Sequence, residues 1–267
     1  MEYRKGDRIL PTCLYASPVF GPVKSRRLGV SLGINLLPDD GKLCTFDCIY
    51  CECGFGSERR TRTRMPERAE VKSALEAKLR AMRAEGLPPD VMTFAGNGEP
   101  TLHRDFAAIV GDVLELRGAY CPEAKVAVLS NGTRIDRPDV FEALLRVDDN
   151  ILKLDTADDG YIARTCRPAG NYSVRRQVEL MARFEGHAIV QTMFMGGEWQ
   201  GRSVDNTGEE YVAPWIEALG KITPQSVMIY TIDRQTPAPG LRKAEPERLD
   251  RIAARVRAVG IRAEVAY

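Results

Sequence analysis

From residue 66 onward the chain alternates between short β-rich apolar runs and helical stretches with an apolar stripe, and few architectures accept that pattern. The spacing predicts strands over 90–96, 125–132, 150–155, 187–195, 226–232 and 261–267, with an earlier one over 28–37. Helices are expected over 66–85, 138–147, 173–184, about 209–220 and 245–260. A further helix carries Phe106, Ile109, Val110, Val113 and Leu114. The strands are almost continuously apolar, as parallel strands covered by helices should be. Right-handed crossovers then curl such a sheet toward a closed or partial barrel. We therefore expect one α/β domain spanning 1–267, with residues 1–27 as an N-terminal extension.

Two stretches lack a regular pattern, 38–65 and 196–208, and loops of that length inside a compact domain are usually functional. A chain of 267 residues can bury a sizeable core without a metal, so any metal site here reads as functional first. Lys and Arg outnumber Asp and Glu by one, leaving no global field to gather nucleic acid or an acidic membrane. No run approaches the roughly 18 apolar residues of a membrane helix. The first residues hold charges and no apolar signal core. A cytoplasmic, membrane-free, monomeric protein is expected. Seven Cys, an odd number, argue against a disulfide framework.

The loop over 38–65 holds Cys44, Cys48 and Cys51 at C-x3-C-x2-C spacing, followed by Cys53. Thiolates this close can converge on one metal centre. Three of them would hold three corners of a cubane iron–sulfur cluster and leave the fourth iron open. The competing reading is a compact zinc knot with Cys53 as fourth ligand, or a redox sensor on the same thiols.

With Tyr50 before its last Cys, the triplet resembles the cluster motif of the radical S-adenosylmethionine superfamily. The resemblance implies a partial (β/α)6 TIM-like barrel with the cluster-binding loop after the first strand. It implies a [4Fe-4S] cluster on Cys44, Cys48 and Cys51, with S-adenosyl-L-methionine chelating the open iron. One electron, drawn from a donor such as flavodoxin or ferredoxin, would then generate a 5′-deoxyadenosyl radical that takes hydrogen from substrate.

The family's Gly-Gly-Glu-Pro turn is matched by Gly96-Asn97-Gly98-Glu99-Pro100, with Asn97 standing where the family has glycine. Carbonyls freed by this turn, and the Glu99 carboxylate, would accept from the cofactor's ammonium; an ordinary strand-to-helix turn reads the same way. Ser130, Asn131, Lys153 and Asp155 resemble positions that meet the cofactor's ribose and carboxylate, and Gln191 is a weaker candidate. SRRLGVSLGINLLP, GEPTLH and TIDRQTP are similar to a branch of iron–sulfur oxidoreductases that includes wyosine-type tRNA-modifying enzymes.

A basic rim of Lys24, Arg26, Arg27, Arg59, Arg60, Arg62 and Arg64 would suit a phosphate or carboxylate, if it is more than two solvated charge runs. With 7% aromatics and near-neutral charge, a small anionic substrate fits better than nucleic acid. A glycyl-radical activating enzyme and a tRNA-modifying enzyme are the alternatives. Cys13, Cys53, Cys121 and Cys166 have no assigned role, and His103 is expected to be a polar helix-start residue.

Overall fold

The computed structural model describes residues 13–25, 29–58 and 60–267. Its main sheet has eight strands in the order β1-β2-β3-β4-β5-β6-β9-β11. These are β1 (Val19–Ser25), β2 (Gly29–Ile34), β3 (Val91–Phe94), β4 (Lys125–Ser130), β5 (Asp149–Lys153), β6 (Ala188–Met193), β9 (Ser226–Tyr230) and β11 (Ala263–Ala266). All neighbours from β2 to β11 run parallel, and β1 pairs antiparallel on the β2 edge. The sheet is a curled half-barrel, mixed α/β as expected.

Alternation of side chains divides the interior in two. Val91, Ala127, Ile151, Ile189 and Met228 fill the concave side as a small cluster of their own. Residues one position along, such as Met92, Val126, Leu152, Val190 and Val227, belong to the large cluster shared with the helices. Those helices are α1 (Arg68–Ala84), α2 (Phe106–Tyr120), α3 (Pro138–Leu145), α4 (Asp159–Thr165), α5 (Val174–Ala182), α6 (Glu209–Ile222) and α7 (Pro246–Ala258). In α1 the stripe Val71, Leu75, Leu79 and Met82 is buried, and the Glu70 carboxylate accepts from the Glu67 N–H at 2.6 Å, closing its first turn. Every crossover leaves a strand's C-terminal end and returns through a helix, so the 38–65 loop and the Gly96, Ser130, Lys153 and Gln191 regions share one mouth.

Three details differ from the sequence reading. The cluster loop follows the second strand, because Val19–Ser25 is already a strand rather than part of an extension outside the fold. The 196–208 stretch is not irregular: β7 (Met195–Trp199) and β8 (Arg202–Ser203) form a hairpin that β10 (Leu241–Lys243) completes as a separate three-stranded sheet. Helix α4, only seven residues long, was hidden by its brevity; Asp158 caps it by accepting from the Tyr161 N–H. Among the described residues no helix is long and apolar enough to cross a membrane.

Candidate functional site

The Cys loop and the Gly turn are tied by backbone. Leu43 bridges Gly98 in parallel fashion: its N–H donates to the Asn97 carbonyl at 2.9 Å, and its carbonyl accepts from the Glu99 N–H at 3.0 Å. Gly98 has φ +140°, and a Cβ there would stand 1.8 Å from the Leu43 carbonyl oxygen, so only glycine permits this approach. Cys44, next in chain after Leu43, is thereby held beside the turn. Asn97 is fully buried, and its amide group donates to the carbonyls of Tyr15 and Pro38 and accepts from the Tyr15 N–H, each at 2.8 Å. The asparagine that departs from the double glycine thus clamps the N-terminal segment over the turn.

Glu99 is 1% exposed, and its oxygens accept from the Thr101 N–H (3.1 Å) and hydroxyl (2.6 Å), the Ser130 hydroxyl (2.8 Å) and the Asn131 N–H (2.7 Å). Burial pushes its pKa up and these bonds pull against that shift. The carboxylate locks the end of β3 to the end of β4, and Pro100 opens the short 3₁₀ turn that carries Thr101. Asn131 in turn donates to the Thr45 hydroxyl at 2.8 Å and toward the Cys44 sulfur at 3.6 Å. Ser130 and Asn131 therefore meet the cluster loop through Glu99 and Thr45. Of the turn's carbonyls, Gly96 accepts from the Cys53 thiol at 3.3 Å and Asn97 from Leu43, while no described donor reaches that of Gly98.

Lys42, which the sequence reading passed over, is buried among the three cysteines. Its ammonium donates to Asp47 at 3.1 Å and to the Gly54 carbonyl at 2.9 Å. Burial alone would lower its pKa, but Cys51, Cys48, Cys44 and Asp47 together hold it above the ordinary lysine value. Desolvation pushes the Cys44 thiol up to about 12, with the Glu99 charge adding to it. Cys51 moves the other way, first because Cys53 hydrogen-bonds to it, then through Lys42. Its position two residues before the first Cys was the one signal that could have singled out Lys42.

Across the mouth, Tyr50 donates to Asp155, and Lys153 donates to both. Asp155 also accepts from the Met193 N–H at 3.1 Å and the Cys166 thiol at 3.5 Å. It is the hub joining the Cys loop, β5, β6 and α4. Burial first, and then the Asp155 charge, raises the Tyr50 pKa; Asp155 keeps Lys153 protonated against its desolvation. Gln191 lies level with Lys153 on the next strand and donates to the Tyr230 hydroxyl at 3.2 Å.

The family model of the radical SAM superfamily matches residues 41–206, more than half of the chain, including the Cys loop, the Gly turn and the strand ends through Gln191. The chain belongs to the radical SAM superfamily. It is 32% identical over 222 residues to the UPF0026 protein MJ1312 of Methanocaldococcus jannaschii, covering 79% of this chain and 62% of that protein. The chain spans 30% to 62% of the length of three such curated relatives. Among solved structures, a radical SAM methyltransferase from Sphaerobacter thermophilus superposes with a TM-score of 0.66 at 18% identity, over 89% of this chain and 66% of that one. A structure of TYW1 with a lysine–pyruvate adduct bound gives 0.59 at 13% identity, over 85% and 73%. Both likenesses are of fold, and the wyosine-type resemblance holds at that level.

For a radical SAM member the group to be tested is a [4Fe-4S] cluster with S-adenosylmethionine. Three thiols from one loop, a buried cation facing them and a glycine turn with an open carbonyl suit such a pair. Among the described residues no three His, Cys, Asp or Glu side chains gather closely enough for a single metal ion. A cubane asks instead for thiols spread around it.

The remaining candidates fall outside this arrangement. His103 ends the 3₁₀ turn as a positioning residue, its Nε2 at 2.8 Å from the Pro66 carbonyl and its Nδ1 accepting from the Asp105 N–H at 3.1 Å. Arg64 is engaged by Glu70 at 2.6 Å, Lys24, Arg60 and Arg62 are exposed, and Arg26, Arg27 and Arg59 lie outside the described residues. Cys121 caps α2 at the opposite end of the strands from Cys44, so a second cluster shared by the remaining cysteines finds no common place. Cys13 lies beside the loop, its N–H donating to the Glu52 carbonyl at 2.9 Å.

Proposed function

We propose that the chain is the radical-generating barrel of an S-adenosylmethionine-dependent enzyme acting on a small anionic substrate. The observation that carries this reading is the Leu43–Gly98 bridge, which sets the Cys44-Cys48-Cys51 loop against a glycine turn at the C-terminal mouth of a parallel half-barrel. Cys44, Cys48 and Cys51 would hold the cluster, and Lys42 would offset its negative charge. When bound, the pair supplies one-electron cleavage of S-adenosylmethionine to a 5′-deoxyadenosyl radical that takes hydrogen from substrate.

The residues of the mouth bind and orient. The Gly98 carbonyl would accept from the cofactor's ammonium, and Glu99, whose Oε1 accepts three bonds from within the site, holds the turn while its Oε2, which accepts only from the Asn131 N–H, keeps capacity for the same ammonium. Asn131, Lys153, Asp155 and Gln191 line the wall that would meet its ribose and carboxylate, and Tyr50 anchors the loop to that wall. An electron donor of the flavodoxin or ferredoxin class completes the proposal.

The test is anaerobic reconstitution with iron and sulfide, then dithionite and S-adenosylmethionine, with chromatography for 5′-deoxyadenosine. The nucleoside should form in the native chain and vanish in Cys48→Ala. Stoichiometric zinc with no 5′-deoxyadenosine would sink the reading.

A further inference from the structure

Beside the mouth lies a cavity of about 560 Å³ into which three arginines project: Arg164 from α4, Arg167 just after it, and Arg202 from β8. No Asp or Glu among the described residues lines it; Trp199 and Gln200 of the hairpin form its other wall. Among the described residues Arg164 Nε is buried without a hydrogen-bond partner, which leaves the guanidinium of this cavity-lining arginine short of an acceptor. Arg167, the residue after the helix C-cap Cys166, has φ +51°, in the left-handed region. Its guanidinium stands 5.2 Å from the Phe55 ring and 5.6 Å from the Trp199 ring, with Asp47 at 3.4 Å behind it.

We infer that this cavity holds the phosphate group of a phosphorylated small-molecule substrate, an assignment that rests on the radical SAM reading of the mouth beside it. Charge selects phosphate over carboxylate. Three guanidiniums crowd one space, and Asp47, shared between Arg167 and the Lys42 ammonium, offsets at most one of them, which leaves at least two positive charges for a dianion. A carboxylate would leave one arginine uncompensated, whereas the guanidinium fork matches the oxygens of phosphate. The volume suits a small molecule rather than a nucleic-acid strand. Position connects the cavity to the chemistry. Cys166, between Arg164 and Arg167, turns its thiol the other way toward Asp155, and Asp47 belongs to the cluster loop between Cys44 and Cys48. A substrate anchored here by its phosphate would extend its remaining atoms over that loop.

The test is calorimetric titration of inorganic phosphate into the reconstituted full chain, without S-adenosylmethionine or reductant. One phosphate should bind per chain. Binding should be about tenfold weaker in Arg202→Ala and lost in the double variant Arg164→Gln/Arg202→Ala, with thermal midpoints close to native. Arg202 is exposed, so its removal does not threaten folding. Absence of phosphate binding, or binding unchanged in both variants, would overturn the assignment. So would a chain that refuses phosphate yet retains transfer RNA through the same arginines. The same preparation assayed for 5′-deoxyadenosine separates the two readings: phosphate binding without cleavage keeps the anion site and removes the radical reaction, and cleavage without phosphate binding does the reverse.

Discussion

At the scale of single residues, the candidate site is built on a glycine and four neighbouring thiols, to which the proposed function gives different roles. Gly98→Ala would drive a Cβ into the Leu43 carbonyl, so the turn and the Cys loop must part. We expect a loss of about 3 kcal/mol in thermal denaturation, together with reduced iron uptake. Unchanged iron content in a stably folded Gly98→Ala chain would show that the bridge does not set the cluster loop. Among the thiols, replacing Cys44, Cys48 or Cys51 by Ala should remove the iron, whereas Cys53→Ala should keep it. The Cys53 thiol is already turned toward the Gly96 carbonyl. Iron and sulfide analysis after reconstitution decides this, and loss of iron in Cys53→Ala would restore the four-cysteine reading. The triplet, Tyr50 and the Gly turn were legible because ligand spacing and glycine placement are local properties of sequence. Cys166 and Tyr230 were not, since their contacts are with residues far away in sequence, and Lys42 was not because a lysine in a loop ordinarily reads as solvated; only the folding of the Cys loop around it buries its ammonium.

Among the elements, the central strands and most helices could be read from apolar runs and helical stripes, because packing on both faces of a parallel sheet imposes that pattern. The elements that escaped lack it. β1 carries Gly21 and Pro22, and β7 and β8 lie in a glycine-rich polar stretch that becomes sheet only because Leu241–Lys243 pairs with it. The layer outside the sheet is pinned by charge as well. Arg68 of α1 donates to the Asp112 carboxylate of α2 at 2.7 and 2.9 Å, and Lys72 approaches it at 3.4 Å. Asp112 is nearly buried, and its arginine holds its pKa below the ordinary aspartate value. A depressed carboxylate stabilises the fold above its unfolded pKa, near 4, and loses that contribution as the pH falls through its lower folded value. Asp112→Asn should therefore cost about 1–2 kcal/mol at neutral pH, with the difference from native shrinking below about pH 4. Chemical denaturation at both pH values measures it; a difference that persists in acid would assign the effect to packing instead of charge.

Over the whole molecule, the proposed reaction assigns the half-barrel's two ends different duties, and the larger of the two cavities described lies at the end away from the cysteines. A space of about 810 Å³ opens at the N-terminal ends of the strands, where Asp90, Lys125, Asp149 and Arg262 surround Val91, Ile189 and Met228. Its two carboxylates at the strand starts are already committed. Asp90 accepts from the Val30 N–H at 2.7 Å, and Asp149 is paired with Lys125 at 3.1 Å. These bonds join neighbouring strands at their starts, which is a task of stability. The opposite mouth instead gathers the thiols, the Gly turn, Lys153 and Gln191. Two variants should then separate the ends. Asp149→Asn weakens the pair with a half-exposed lysine, so it should lower stability by about 1 kcal/mol while iron content and 5′-deoxyadenosine formation stay native. Gln191→Ala removes a half-buried amide whose partner is the Tyr230 hydroxyl, and should leave the thermal midpoint within about a degree while weakening S-adenosylmethionine binding about tenfold. Measuring melting and cofactor affinity on both variants gives a crossed pattern if the division holds. The reverse pattern, with cofactor affinity following Asp149 and stability following Gln191, would move the reaction to the other end of the barrel.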